Sequence, residues 1–355
     1  MHRALIVGSM LVNMVVDVFG RRAKCARNSS FCACALYTII FTVTCCDSTY
    51  VSKLSDSMGH ACCSVEHWND YATILKNRLK EADIMLNDEM KANRGWWDEA
   101  AQVHYQGDWY QMKEFRAGAI KLHALERDEV GDVTGKKLLH LQCHFGMDTL
   151  SWARLGARVT GVDFSEKATT IARGLSEEFQ LDATFVCCNL YDLPNVLEGA
   201  GTYDMVFSSY GAICWLPDLA PWGAIIGRYL KPGGFFYLAE GHPFLWSLDD
   251  QSSAWRVKYP YFSQEPIRDE SSGTYADKDA ALEHRVTYNW NHPLSVIFGS
   301  LFSAGLTLDF FHEHPFCAWE ALPGMEEGAD RLYRFTDPAA RDMIPLMYSL
   351  KATKK

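Results

Sequence analysis

Between residues 136 and 240 the chain alternates short apolar runs with helical stretches, and this alternation limits the available folds more than any other feature. The runs are LLHLQC (138–143), ARVTGVDF (157–164), ATFVCCNL (183–190), YDMVFSSY (203–210) and GFFYLAEG (234–241). Each gap between them has room for a helix, which predicts βαβ units and a parallel, doubly wound α/β sheet. MDTLSWARLG reads as a helix closed by Gly156. SEKATTIARGLSEEFQL reads as a helix capped by Ser165, and WGAIIGRYLKPGG as one ended by Pro232 with a turn at Gly233 and Gly234.

The rest of the chain frames this core. Residues 65–135 are read as a helical N-terminal cap, with an aromatic group of Trp96, Trp97, His104, Tyr105, Trp109 and Tyr110. Residues 136–355 form the main domain. Within it the polar, aromatic stretch 246–292 is expected to be a loop-rich lid, followed by a helix at 294–305 and strands at 306–314 and 344–354.

Residues 1–64 differ in kind. Seven of the twelve Cys lie in the first 63 residues, with six basic and three acidic side chains, so the net charge of −10 becomes −13 for the remainder. Two apolar runs, 4–19 and 31–46, flank the basic group Arg21, Arg22, Lys24 and Arg27. Each is shorter than the ~20 residues that span a bilayer. The segment reads either as a targeting or anchor sequence or as an upstream extension, and membrane contact is expected only if it is an anchor. Adjacent Cys pairs cannot readily share one ion, so no metal is expected there. The later Cys (143, 187, 188, 214, 317) read as reduced apolar side chains of an intracellular domain. The acidic balance argues against a nucleic-acid partner.

In open α/β sheets ligands bind at the carboxyl ends of the strands. Asp163 ends the second run, where an acid can accept hydrogen bonds from ribose hydroxyls. A dinucleotide also needs G-x-G-x-x-G after the first strand, and only Gly146 stands there, beside Gln142 and His144. A nicotinamide cofactor is therefore disfavoured.

LLHLQCHFG, GARVTGVDFSEKATTIAR, FVCCNLYDLP, YDMVFSSYGAICWLPDL and LKPGGFFYLAE, in this order, resemble the class I S-adenosylmethionine-dependent methyltransferases from about Gly95 onward. The resemblance implies a Rossmann-like seven-stranded sheet, S-adenosyl-L-methionine as cofactor and a small-molecule acceptor. It places Gly146 near the methionine part, Asp163 on the ribose, Phe164 on the adenine, Asn189 and Leu190 around the base, and Ser208, Ser209 and Tyr210 on the methionine side. The first motif departs from the family: His140 replaces its acid, and Gln142 and His144 replace two glycines. Asn189 stands where the family commonly has Asp.

Methyl transfer needs positioning and, for some acceptors, a base. His104, His144, His242, His312 and His314 are the base candidates, with His104, His242 and His312 placed first. His312 and His314 can share a face, but no third ligand is in view, so no metal is expected. The aromatic group suits a cap over the acceptor, with Trp215 and Trp290 as further pocket candidates. The alternative from another class is an inert binding module that kept the fold. The acceptor, the methylated atom and the oligomeric state are not encoded in any pattern found.

Overall fold

The computed structural model describes residues 88–252, 254–263 and 265–355. The N-terminal extension and the first part of the cap region, including both apolar runs and the early Cys, lie outside the described residues. Among the described residues no helix is long and apolar enough to cross a membrane.

The chain from residue 88 opens with helix α1 (88–106), a short helix α2 (Met112–Arg116) and α3 (Ala124–Val130). Strand β1 (Lys137–Leu141) follows, then α4 (Met147–Arg154), β2 (Arg158–Asp163), α5 (Glu166–Phe179) and β3 (Ala183–Cys187). After the short α6 (Leu193–Val196) come β4 (Tyr203–Ser209), α7 (Leu219–Tyr229) and β5 (Leu230–Gly241). The remainder holds a hairpin of β6 (Ile267–Glu270) and β7 (Val286–Asn289), helix α8 (Leu294–Ser303), β8 (Leu306–His314), a hairpin of β9 (Met325–Glu327) and β10 (Tyr333–Phe335), and β11 (Met347–Lys354).

Seven strands form one sheet in the order β3-β2-β1-β4-β5-β11-β8. All run parallel except β11, which pairs antiparallel with both β5 and β8. The central strands read as continuous apolar runs because both faces are covered. Leu139, Leu141, Val206, Phe236 and Leu238 face a layer built on Trp222, Ile226 and Tyr229 of α7. Leu138, Met205, Phe207 and Tyr237 face Trp152 of α4 and Met347 on the other side.

The helix signals act as their chemistry dictates. Ser165 Oγ accepts from the Ala168 backbone N–H at 3.0 Å, capping α5, and Asp218 does the same for α7 through Ala220 N–H at 2.9 Å. Gly156, just beyond α4, takes φ +94° and lets the chain turn back into β2. Two expectations change. Strand β5 begins at Leu230, but Lys231–Gly234 pair with no neighbour and Gly233 takes φ 74°, so the expected turn lies inside the strand's bounds, ahead of the continuous pairing from Phe235. The stretch 246–292 contains the β6–β7 hairpin, so it is not loop throughout.

The hairpin docks on α1. Asn93 uses its whole amide on Tyr288: Oδ1 accepts from the Tyr288 N–H at 2.8 Å, and Nδ2 donates to its carbonyl at 2.9 Å. Glu99 accepts from the Glu283 N–H at 2.7 Å, and Leu282 packs with Trp96 and Ala100.

Candidate active site

The turn that leaves β1 has an unusual backbone. Gln142, Gly146 and, between them, His144 take φ values of 56°, 82° and 52°, alternating left-handed residues that two side-chain-bearing positions ordinarily avoid. Such a conformation costs roughly 1–2 kcal/mol per non-glycine residue, so it persists only where the surroundings impose it. They do. Gln142 Nε2 donates to the Ala212 carbonyl at 2.7 Å, and the His144 N–H donates to Asp163 Oδ2 at 2.8 Å. At Gly146 a β-carbon would sit 2.7 Å from the Phe185 ring, so the glycine is required by packing as well as by φ.

Asp163 is the hinge between the first two strands. It is buried at the end of β2, and its second oxygen, Oδ1, accepts from the Ser165 N–H at 2.9 Å. Burial raises its carboxyl to about 6 against the pull of these backbone donors. Half-buried Phe164 follows it. Asn189 at the end of β3 spends its Oδ1 on the Tyr191 N–H at 3.0 Å, while Leu190 is buried in the core. Ser208 is fully buried within the sheet, 3.5 Å from the Leu141 carbonyl that its Oγ faces. Tyr210 leaves β4 and donates its hydroxyl to Glu126 Oε2 at 2.7 Å.

The cap lies directly on this turn. Trp97 meets His144 edge-on at 5.0 Å and Trp215 at 5.2 Å, and Trp96 stacks on Trp215 at 6.0 Å. His104 of α1 shares a hydrogen bond with His144 between Nδ1 and Nε2 at 3.0 Å. Tyr275, from the lid region, packs on His104 at 4.6 Å and hydrogen-bonds to Tyr110. Trp290, by contrast, is buried beyond Cys214, whose carbonyl accepts its N–H at 2.8 Å.

The three histidines placed first as bases stand in three different settings. Burial pushes His104 down to about 3, and His144 is lowered by burial and by its neighbour, so the two face each other at the turn as a neutral pair. His242 is buried, its Nδ1 accepts from the Phe244 N–H at 3.0 Å, and its Nε2 lies 3.2 Å from Glu313. His312 stands on β8, four strands along the sheet from β1, bonded to Glu129 at 2.7 Å and stacked on Phe310. Neither reaches the turn. His314 is held by Ser349 at 3.0 Å. Among the described residues no group of three His, Cys, Asp or Glu side chains is placed to hold a metal.

Sequence reasoning missed several charged groups. Glu126, fully buried, is raised to about 8 by burial and by Asp148. Asp148, in the first turn of α4, accepts from Ser209 Oγ at 2.9 Å and is raised by burial to about 6. Glu240 ends β5 and accepts from the N–H groups of Gly211 (2.6 Å), Gly241 (2.7 Å), Ala212 (2.8 Å) and Ile213 (3.2 Å), pinning the loop after β4. For Glu126 a signal existed: it closes a capping box, its Oε1 accepting from the His123 N–H at 2.9 Å.

Residues 139–238, which carry this turn and β1 to β5, match the model of the methyltransferase domain family. Over these residues the chain is similar to that family. Similar proteins carry the same name. A ubiquinone biosynthesis O-methyltransferase of Nitrosococcus oceani is 29% identical over 146 residues, 41% of this chain and 56% of its own length. An uncharacterized methyltransferase of Synechocystis is 35% identical over 126 residues, 35% of this chain and 56% of that protein. The chain thus spans little more than half the length of these curated relatives. A solved S-adenosylmethionine-dependent methyltransferase from Mesorhizobium loti aligns over 67% of this chain and 100% of its own, with 18% identity and a TM-score of 0.46. The site suits the cofactor of this class: an acid ends β2, the turn keeps left-handed backbone at the family's glycine positions, and Gln142 Oε1 is buried without a partner.

Proposed function

We propose that this methyltransferase transfers the methyl group of S-adenosylmethionine to a small-molecule acceptor. The retained backbone of the 142–146 turn carries the reading. Gln142 and His144 hold there the left-handed backbone that glycine would supply, at a strain sustained by the contacts to Ala212 and Asp163. Asp163 would accept from the ribose hydroxyls, Phe164 and Asn189 would border the adenine, and the Gln142, His144 and Gly146 backbone would face the methionine part. S-adenosylmethionine, when bound, supplies a methyl group on a sulfonium, transferred by in-line displacement.

The chain's own contribution is positioning and exclusion of water. Trp97, Trp215, His104 and Tyr275 laid on the turn suit a small, flat acceptor better than a polymer, and the relatives named for ubiquinone biosynthesis act in the same sense. Isothermal titration with S-adenosylhomocysteine tests the cofactor site. Wild type should bind, and Asp163→Asn should weaken binding about tenfold or more, as expected for losing hydrogen bonds to a charged group. No binding by wild type, or equal binding by the variant, overturns the assignment.

A further inference from the structure

Helix α1 meets the candidate cofactor site at two places, and one chain of hydrogen bonds joins them. At the first, Asp98 Oδ1 accepts from Ser165 Oγ at 2.6 Å and from the Lys167 N–H at 3.2 Å. Both donors belong to the start of α5, where N–H groups without helical partners and the helix dipole favour a carboxylate. Ser165 passes the contact on: its own N–H donates to Asp163 Oδ1, and Asp163 Oδ2 accepts from the His144 N–H. The chain closes at the second place, where the His144 ring bonds to His104, again on α1.

Charge pairing is a minor part of the Asp98 contact. Its Oδ2 lies 3.9 Å from Arg94 Nε, whose side chain is half exposed, and a pair of that kind is worth little in water. The bond from Ser165 is the stronger one, because a hydroxyl on a carboxylate is charge-assisted and Ser165 is fully buried. Ser165 Oγ also accepts from the Ala168 N–H, so its single proton is committed to Asp98. Moving α1 away from α5 therefore breaks the same chain that orients Asp163.

We propose that Asp98 is a positioning residue, a latch that keeps α1 seated beside Asp163 so that bound cofactor leaves only when the latch opens. This rests on the methyltransferase reading, with Asp163 on the ribose. Asp98 touches no reacting atom. Its effect falls on the rate at which the site opens, and so on the residence time of the cofactor more than on encounter.

The test compares the full chain as wild type, Asp98→Leu and Asp98→Asn, by stopped-flow dissociation of S-adenosylhomocysteine and by hydrogen exchange of the cofactor-free protein. Asp98→Leu should raise the dissociation rate about tenfold or more and speed exchange of the α1 amides, while β1 to β5 keep their protection. Asn keeps an Oδ1 acceptor for both donors, so Asp98→Asn should restore most of the residence time. Faster α1 exchange with unaltered dissociation overturns the proposal, as does a Leu variant without effect on either, or an Asn variant no better than Leu. Lost protection across the sheet marks general destabilisation and overturns it too. Wild type that binds no S-adenosylhomocysteine overturns the cofactor assignment instead, and exchange in Asp98→Leu then decides whether α1 is latched.

Discussion

Gln142 and His144 hold a conformation that glycine adopts freely, and this sets what can replace them. Gln142→Gly should leave stability within about 1 kcal/mol of wild type, because relief of left-handed strain offsets greater chain entropy and the loss of the bond to Ala212. Gln142→Val should cost more than about 1 kcal/mol, since a β-branched residue tolerates positive φ least. Gly146→Ala should cost at least about 2 kcal/mol, from strain at φ 82° and the clash with Phe185, and Phe185→Leu should recover part of it. Urea denaturation of the five proteins checks the ranking. Here the sequence was half legible. The loss of two glycines was visible at Gln142 and His144, but whether the backbone had followed was not, because the donors and acceptors that impose it lie at Ala212, Asp163 and His104.

At the scale of elements, α1 and the β6–β7 hairpin are tied by one amide. Asn93→Ala removes two hydrogen bonds to the half-buried Tyr288 backbone, which should cost about 1–3 kcal/mol locally. Limited proteolysis should then cut faster within 270–290, with global unfolding little changed. The elements of the parallel core were readable because each is a continuous apolar run with its own capping residue, as at Ser165 and Asp218. Hairpins β6–β7 and β9–β10 were not, since their short, half-exposed strands show no alternation that separates them from loop.

For the whole molecule, buried titratable groups set opposing pH slopes. His104 and His140 are pushed by burial from 6.5 to about 3. Their neutral forms stabilise the fold above about 6.5, and this contribution declines as pH falls toward 3, where the unfolded chain binds more protons. A His140→Asn variant should therefore lose less melting temperature than wild type between pH 6.5 and pH 5. Glu126 acts in reverse: raised from 4.5 to about 8, it favours the fold most below 4.5 and loses that contribution as pH rises through 8. Glu126→Gln keeps an acceptor for the capping box and turns its amide NH2 to the Tyr210 oxygen, and without a titrating carboxyl its melting temperature should decline less than wild type between pH 5 and pH 8.5. Equal declines would refute the assignment.

The antiparallel strand β11 lies between β5 and β8. A nascent chain that has emerged only as far as β8 therefore has no sheet partner for that strand, and must hold its apolar residues apart until residues 347–354 leave the ribosome. Assembly of the sheet's far edge is thus a late event, and premature termination before residue 347 would strand β8 as an unpaired edge open to aggregation.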